Sequence, residues 1–213
     1  MAQLDLFSLT DQQSPLPEPL PNNVEAIDVI EGFGYIEGYI DQNQHDRLLY
    51  QIDKHQWLAD LKRRVQHYGF KYDYKARKVN RDMRIGQLPE WLQTLGRRLY
   101  DDGHMPAEPD QVIVNEYEPG QGISSHIDCE PCFANMIVSL SLGSSCIMDF
   151  TNKLDKTKKI PVWLAPRSIV VLRDEARYKW LHGIAPRKSD TWAGQTYERQ
   201  RRVSLTFRKV ILE

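Results

Sequence analysis

The pattern of apolar and polar side chains changes character near Gln111. Ahead of it lie two amphipathic helical patterns, and behind it a series of short β patterns separated by turn residues. In the front part, residues 24–40 alternate and carry glycines, as short strands would. Asp41 predicts an N-cap for a helix running to about His55, with Leu48, Leu49 and Ile52 as its apolar stripe. Residues 65–74 read as a strand pair broken at Gly69. Pro89 then predicts a helix start, Leu92, Leu95 and Leu99 share one face, and Gly103 is the terminator. The first 23 residues, with Pro15, Pro17, Pro19 and Pro21 among Gln and Ser, are expected to form an extended or disordered lead-in outside the folded domain of residues 24–213.

Behind Gln111, strands are predicted over residues 112–114, 136–142, 146–150, 160–164, 168–172, 180–184 and 202–211. Residues 153–159 form a charged hairpin and residues 188–201 a polar loop. The spacing is that of a sandwich or jelly roll, a mainly β fold with supporting helices. The last strand alternates cleanly. Val203, Leu205 and Phe207 take one face, and Arg202, Ser204, Thr206 and Arg208 the other. That second face either meets solvent or points into a barrel mouth, where two guanidinium forks could clasp carboxylates.

Composition adds little to this picture until its distribution is considered. At 213 residues, 41% hydrophobic and 27% charged, the chain is long enough for one well-buried domain, and no apolar run approaches membrane-spanning length. The start lacks a secretory signal, so a cytoplasmic monomer without a membrane partner is expected. A net charge of −1 excludes bulk polycationic binding of nucleic acid. Between Lys62 and Arg84, however, nine Lys and Arg residues face only Asp73 and Asp82, with Tyr68, Phe70, Tyr72 and Tyr74 interleaved. Such a stretch suits a phosphate backbone and stacked bases, or else a solvated β-ribbon. Cys129, Cys132 and Cys146 cannot all pair within one chain, and a reducing compartment is the simpler account. Cys129-Glu130-Pro131-Cys132 lacks both a second Cys-x-x-Cys and a thioredoxin-like setting.

The candidate chemistry centres on His126-Ile127-Asp128. Residues two apart on an extended strand leave the same face, so one imidazole and one carboxylate could grip a single metal ion. A second histidine from elsewhere would complete the facial triad that holds Fe(II) with open positions. His182, in Trp180-Leu181-His182-Gly183-Ile184, is available for this, or is a satisfied core histidine. Asn115 and Tyr117 share the same two-residue spacing and could close the other side of an acid-binding pocket.

Taken together, Asn115-x-Tyr117-x-Pro119-Gly120, His126-x-Asp128, the strand Ile137-Val138-Ser139-Leu140-Ser141-Leu142-Gly143, His182-Gly183-Ile184 and the Arg202/Arg208 pair resemble the AlkB family of Fe(II)- and 2-oxoglutarate-dependent dioxygenases. In detail they are similar to the AlkB-type domain of the eukaryotic tRNA wobble-uridine hydroxylase. The resemblance covers residues 111–210, with weaker similarity back to about Val65. It implies a double-stranded β-helix over residues 111–211 with N-terminal helical support and a nucleotide-recognition lid over residues 65–88. It further implies iron on His126, Asp128 and His182, and 2-oxoglutarate held by Asn115, Tyr117, Arg202, Ser204 and Arg208. Tyr68, Tyr72 and Tyr74 become base-stacking candidates, and Glu130 matches a position where repair members read the base edge. The implied reaction consumes O2 and 2-oxoglutarate and hydroxylates a C–H bond of a flipped or single-stranded nucleobase in DNA or RNA. A methyl on a base nitrogen would then leave as formaldehyde. The alternatives are hydroxylation of a modified wobble uridine in tRNA, or a nucleic-acid-binding module with a vestigial metal site.

Overall fold

A computed structural model describes residues 23–59 and 61–212. The expected lead-in lies outside the described residues apart from Asn23, whose amide bonds both backbone groups of Trp163. Residues 24–40 hold a short helix, α1 (Val24–Val29), and one strand, β1 (Phe33–Ile36), where strands alone were expected. Tertiary burial decides this: Ala26 and Ile30 fall on the covered side of one helical turn and are fully buried. Helix α2 (Gln42–Asp53) begins as expected, with Asp41 and Gln44 forming a reciprocal capping box. Strand β2 (Val65–Tyr68) follows, and helix α3 (Glu90–Asp101) buries Leu92, Leu95 and Leu99.

The β core comprises β3 (Gln111–Tyr117), β4 (Ile123–His126), β5 (Ile137–Gly143), β6 (Cys146–Asn152), β7 (Lys159–Leu164), β8 (Ile169–Leu172), β9 (Trp180–Ile184) and β12 (Arg202–Arg208). A five-residue helix, α4 (Asp174–Tyr178), precedes β9. Strands β1-β8-β5-β12-β3-β2 form a six-stranded sheet and β4-β9-β6-β7 a four-stranded one, every pairing antiparallel. The outer face of the large sheet, including Val112, Val114, Val138, Leu140, Val203, Leu205 and Phe207, packs on Leu48, Ile52, Leu92, Leu95 and Leu99 of α2 and α3. Its inner face meets the small sheet through Ile137, Val170 and Leu172 against Phe150, Val162 and Leu164. This is the expected jelly roll with helical support. No described helix is long and apolar enough to cross a membrane.

Two segments depart from expectation. Residues 65–74 are not a strand pair, because β2 is an edge strand of the large sheet, paired with β3, and the chain leaves the sheet at Gly69. There φ is +78° and a Cβ would lie 1.8 Å from the Asp110 carbonyl oxygen, so only glycine fits. Residues 69–88 continue as a loop tied by isolated bridges at Phe70/Arg84 and Asp73/Lys78. Residues 188–201 are not simply a polar loop. They hold the hairpin β10 (Ser189–Trp192) and β11 (Gln195–Glu198), turned at Ala193 and Gly194, both at positive φ. Trp192 and Tyr197 of that hairpin stack on Trp163, and Asp190 pairs with Arg199 and Arg187.

Candidate active site

The inner face of the large sheet is where the alternation of β12 delivers its polar set. In register, Ser204 lies between Asn115 of β3 and Ser141 of β5, Arg202 between Tyr117 and Gly143, and Arg208 opposite Gln111. Outward-facing neighbours in the helix-packed core hold these side chains at fixed heights on a rigid support. Across from them, β4 and β9 pair His126 directly with His182, with ring centroids 4.5 Å apart. Asp128 follows just past the end of β4. The ligating atoms of His126, Asp128 and His182 all lie within 4.8 Å of one another. Close approach of the two histidine strands depends on Gly183, where a Cβ would sit 2.8 Å from the Ser125 nitrogen.

The electrostatics suit a divalent cation. Burial opposes ionisation of Asp128, yet the Arg208 guanidinium, donating at 2.8 Å, and the neighbouring imidazoles hold its carboxyl well below the usual carboxylate range. His182, stripped of water and beside His126, is pushed down to about 3, so it stays a neutral imidazole with a lone pair to offer. Its Nδ1 is buried without a hydrogen-bond partner. The His126 Nδ1 lies 2.8 Å from the Ser124 carbonyl oxygen, to which its N–H can donate, leaving Nε2 as the ligating atom. Two neutral nitrogens and one carboxylate are the donor set of a facial triad.

Beside this triad lies a cavity of about 500 Å³ lined by the triad, Asn115, Tyr117, Ser204, Arg202 and Arg208. Arg202 is 3% exposed and donates from Nη2 to the Ser141 hydroxyl, while its Nε and Nη1 are buried without partners. The Arg208 Nε is likewise unsatisfied. Buried guanidinium donors without protein partners cost free energy, and a small dicarboxylate would satisfy them. Ser204 bonds Ser139, and burial pushes the Tyr117 phenol up against the partly offsetting charges of Arg63 and Arg202. The residues present therefore fit both a divalent metal and a dicarboxylate.

The lid residues divide. Tyr72 and Tyr74 line the cavity and contact each other edge to face at 5.0 Å. Tyr68 does not join them: it packs on Trp91 and His55 on the helical side and donates to Gln66, because β2 is out of phase with the loop beyond Gly69. Glu130 is exposed and lies outside the cavity lining, its carboxylate 3.5 Å from the Lys153 ammonium. Base stacking by Tyr68 and base-edge reading by Glu130 are therefore not supported by their placement. Cys129 and Cys132 are joined by a disulfide, where free thiols in a reducing compartment were the simpler expectation. Both sulfurs lie against the Arg77 carbonyl in the lid.

Two contacts beside the site were not foreseen from the sequence, although Arg63 belongs to the basic stretch noted above. Arg177, buried in α4, donates to the carbonyls of Asp128 and Cys129 and so fixes the loop that carries the carboxylate. Arg63 reaches into the cavity and donates from Nε to the Asn115 side-chain oxygen at 2.8 Å. The basic stretch pointed to Arg63 as a phosphate contact but to neither of these hydrogen bonds, since each is made more than 45 residues away.

Comparison with known proteins agrees with this geometry. Residues 32–208 match the family model described as 2OG-Fe(II) oxygenase superfamily. The chain is 36% identical over 203 residues to the alkylated DNA repair protein ALKBH8 homolog of Arabidopsis thaliana, covering 85% of this chain and 59% of that protein. It is also 36% identical over 206 residues to the tRNA (carboxymethyluridine(34)-5-O)-methyltransferase ALKBH8 of Mus musculus, covering 84% of this chain but only 30% of the relative. Among solved structures, OsALKBH1 superposes with a TM-score of 0.67 at 17% identity, covering 84% of this chain and 96% of that one, which bears on the fold alone.

Proposed function

Since the chain belongs to the 2OG-Fe(II) oxygenase superfamily and is homologous to AlkB-family proteins, we propose that this Fe(II)- and 2-oxoglutarate-dependent dioxygenase oxidatively demethylates alkylated nucleobases in DNA or RNA. One observation carries the reading. A His-Asp-His set converges to within 4.8 Å on the wall of a cavity that also holds two buried arginines with unsatisfied donors. In this assignment His126, Asp128 and His182 hold the iron. Arg202 takes the distal carboxylate of 2-oxoglutarate, with Asn115, Tyr117, Ser204 and Arg208 completing the cosubstrate pocket. Iron and 2-oxoglutarate together supply an O2-derived oxidant, with release of CO2 and succinate.

The chain's own part is positioning. Arg208 keeps Asp128 ionised and oriented, and Arg177 holds the backbone on which Asp128 sits. Tyr72 and Tyr74 offer faces on which an extruded base can stack so that its methyl meets the iron side of the cavity. A methyl hydroxylated on a base nitrogen then leaves as formaldehyde. The placement of Tyr72, Tyr74 and Arg77 around one cavity supports a nucleic-acid substrate, as do the names of the two relatives.

A second reading, stable hydroxylation of a modified uridine in tRNA, is favoured by one specific observation: Glu130 lies away from the cavity, so no side chain at that position meets a base edge. The test is mass spectrometry of methylated oligonucleotides and of total tRNA after incubation with the protein, iron and 2-oxoglutarate. Formaldehyde release with base restoration supports demethylation, a retained oxygen on tRNA supports hydroxylation, and succinate formation unaltered by His126→Ala refutes the metal assignment.

A further inference from the structure

The charged groups lining the cavity are unbalanced. Lys62, Arg63, Arg77, Arg202 and Arg208 face it, and the carboxylate of Asp128 is the one acid among the described lining residues. Five cations less one anion leave a surplus of four positive charges. A ferrous ion and 2-oxoglutarate carry two charges each, of opposite sign, so loading the site does not remove that surplus. Arg202 and Arg208 are accounted for by the cosubstrate and Asp128. Lys62, Arg63 and Arg77 are left for the substrate.

Arg63 is the most confined of these three. Its Nε is spent on Asn115, its guanidinium lies 5.8 Å from the centre of the Tyr117 ring, and no carboxylate pairs with it among the described residues. Its remaining N–H groups are free to donate to the base or to the substituent being oxidised. The acid that could have received a cationic base, Glu130, is turned to Lys153.

Resting on the nucleobase reading above, we propose that the site selects uncharged bases that present a carbonyl oxygen to Arg63, and turns away bases carrying a positive charge. The physical reason is that a cationic base would be desolvated among like charges with no acid to meet it, whereas an acceptor oxygen gains a charge-assisted hydrogen bond.

The experiment uses one oligonucleotide sequence with a single N3-methyluracil, N3-methylcytosine or N1-methyladenine. The first base is neutral with two carbonyl oxygens, and the other two are cations at neutral pH. Product is read by mass spectrometry as kcat/KM for each. The neutral base is expected to exceed both cations by at least about tenfold, since one uncompensated like charge in a partly desolvated site is worth that much. Arg63→Glu is expected to lower that ratio by about tenfold or more, and Arg63→Gln to lower it less. Taking the ratio cancels any common change in cosubstrate binding or folding. Equal or faster turnover of the cationic bases by the unmodified protein, or a ratio unmoved by both variants, overturns the inference. Turnover of none of the three, with 2-oxoglutarate still consumed, removes the nucleobase reading and this inference with it.

Discussion

Replacing Arg202 by lysine tests the cosubstrate pocket at its most demanding point. The guanidinium is 3% exposed and, among the described residues, its one hydrogen bond goes to the Ser141 hydroxyl, leaving Nε and Nη1 unsatisfied. The unsatisfied Nε and Nη1 donors are held in fixed directions by the planar guanidinium, and a carboxylate can meet either edge of it together with Nη2, a geometry that an ammonium cannot reproduce. Losing one charge-assisted hydrogen bond is worth about 1.5–3 kcal/mol, which corresponds to a rise of roughly 10- to 150-fold in the Kd for 2-oxoglutarate. The assay is anaerobic calorimetric titration of the iron-loaded protein with 2-oxoglutarate. A companion variant, Arg202→Met, carries a prediction of the opposite kind. No carboxylate of the described residues pairs with this charge, so removing it should leave the urea-unfolding free energy of the metal-free protein unchanged or slightly raised. A Kd altered less than about threefold in the lysine variant would refute the clasp. A methionine variant destabilised by more than about 2 kcal/mol would refute the claim that Arg202 is held for a ligand and not for the fold.

Arg208 should behave in the reverse manner: Arg208→Met strands the buried Asp128 carboxylate, and chemical denaturation should show a loss of about 3–5 kcal/mol in the metal-free protein. Tyr72→Ala should lower kcat/KM on a nucleic acid by about tenfold or more through lost stacking, while substrate-independent decay of 2-oxoglutarate changes little, and equal loss of both would remove Tyr72 from substrate recognition. Asp190 is held below its usual carboxyl range because hydrogen bonds from Arg199, with Arg187 and the Ile147 amide, outweigh the opposing effect of burial. Its folded value being depressed, its contribution is fully present above about pH 4 and fades as pH falls toward the folded value. Asp190→Asn should therefore lower stability at neutral pH by about 3 kcal/mol and flatten the acid limb of the stability profile, and parallel profiles for the two proteins would contradict this.

Much of the site was legible because it lies on strands whose alternation is unbroken. Arg202, Ser204 and Arg208 share a face with period two, and Val203, Leu205 and Phe207 show by their burial which face that is. Asp41 and Pro89 marked helix starts through local backbone chemistry, which needs no tertiary information. The failures share a cause in phase or in distance. Tyr68, Tyr72 and Tyr74 have the same parity, but the positive φ of Gly69 resets it, so Tyr68 faces α3 while the other two face the cavity. Val24 and Ile27 are β-branched, yet their segment is a helix, with Ala26 buried and the preceding Asn23 bonded to the Trp163 backbone. The hairpin of residues 189–198 carries its signal in Ala193-Gly194, a weak turn pair outweighed by its polar surroundings. Arg63 and Arg177 bond groups brought near by the fold, and although Arg63 lies in a visibly basic stretch, nothing local gives either partner.

The architecture explains why the two halves of the site can be built with such different local chemistry. The proposed cosubstrate side sits on a central strand, β12, hydrogen-bonded to β3 and β5 and backed by the helix-packed core, so its arginines are presented on a rigid support. The metal side sits on β4, an edge strand whose pairing with β9 is irregular between Ile123 and His126. An edge strand alone would hold a ligand loosely. Three contacts compensate: the absence of a side chain at Gly183 lets β4 settle against β9, the Ser124 carbonyl fixes the His126 ring, and Arg177 ties the Asp128 carbonyl from the opposite side. Arg208 then joins the two halves, rising from the rigid strand to the carboxylate on the looser one. Positional precision in the proposed metal set would in this way be inherited from the large sheet, with the second arginine of β12 serving the proposed metal ligands as much as the proposed cosubstrate pocket.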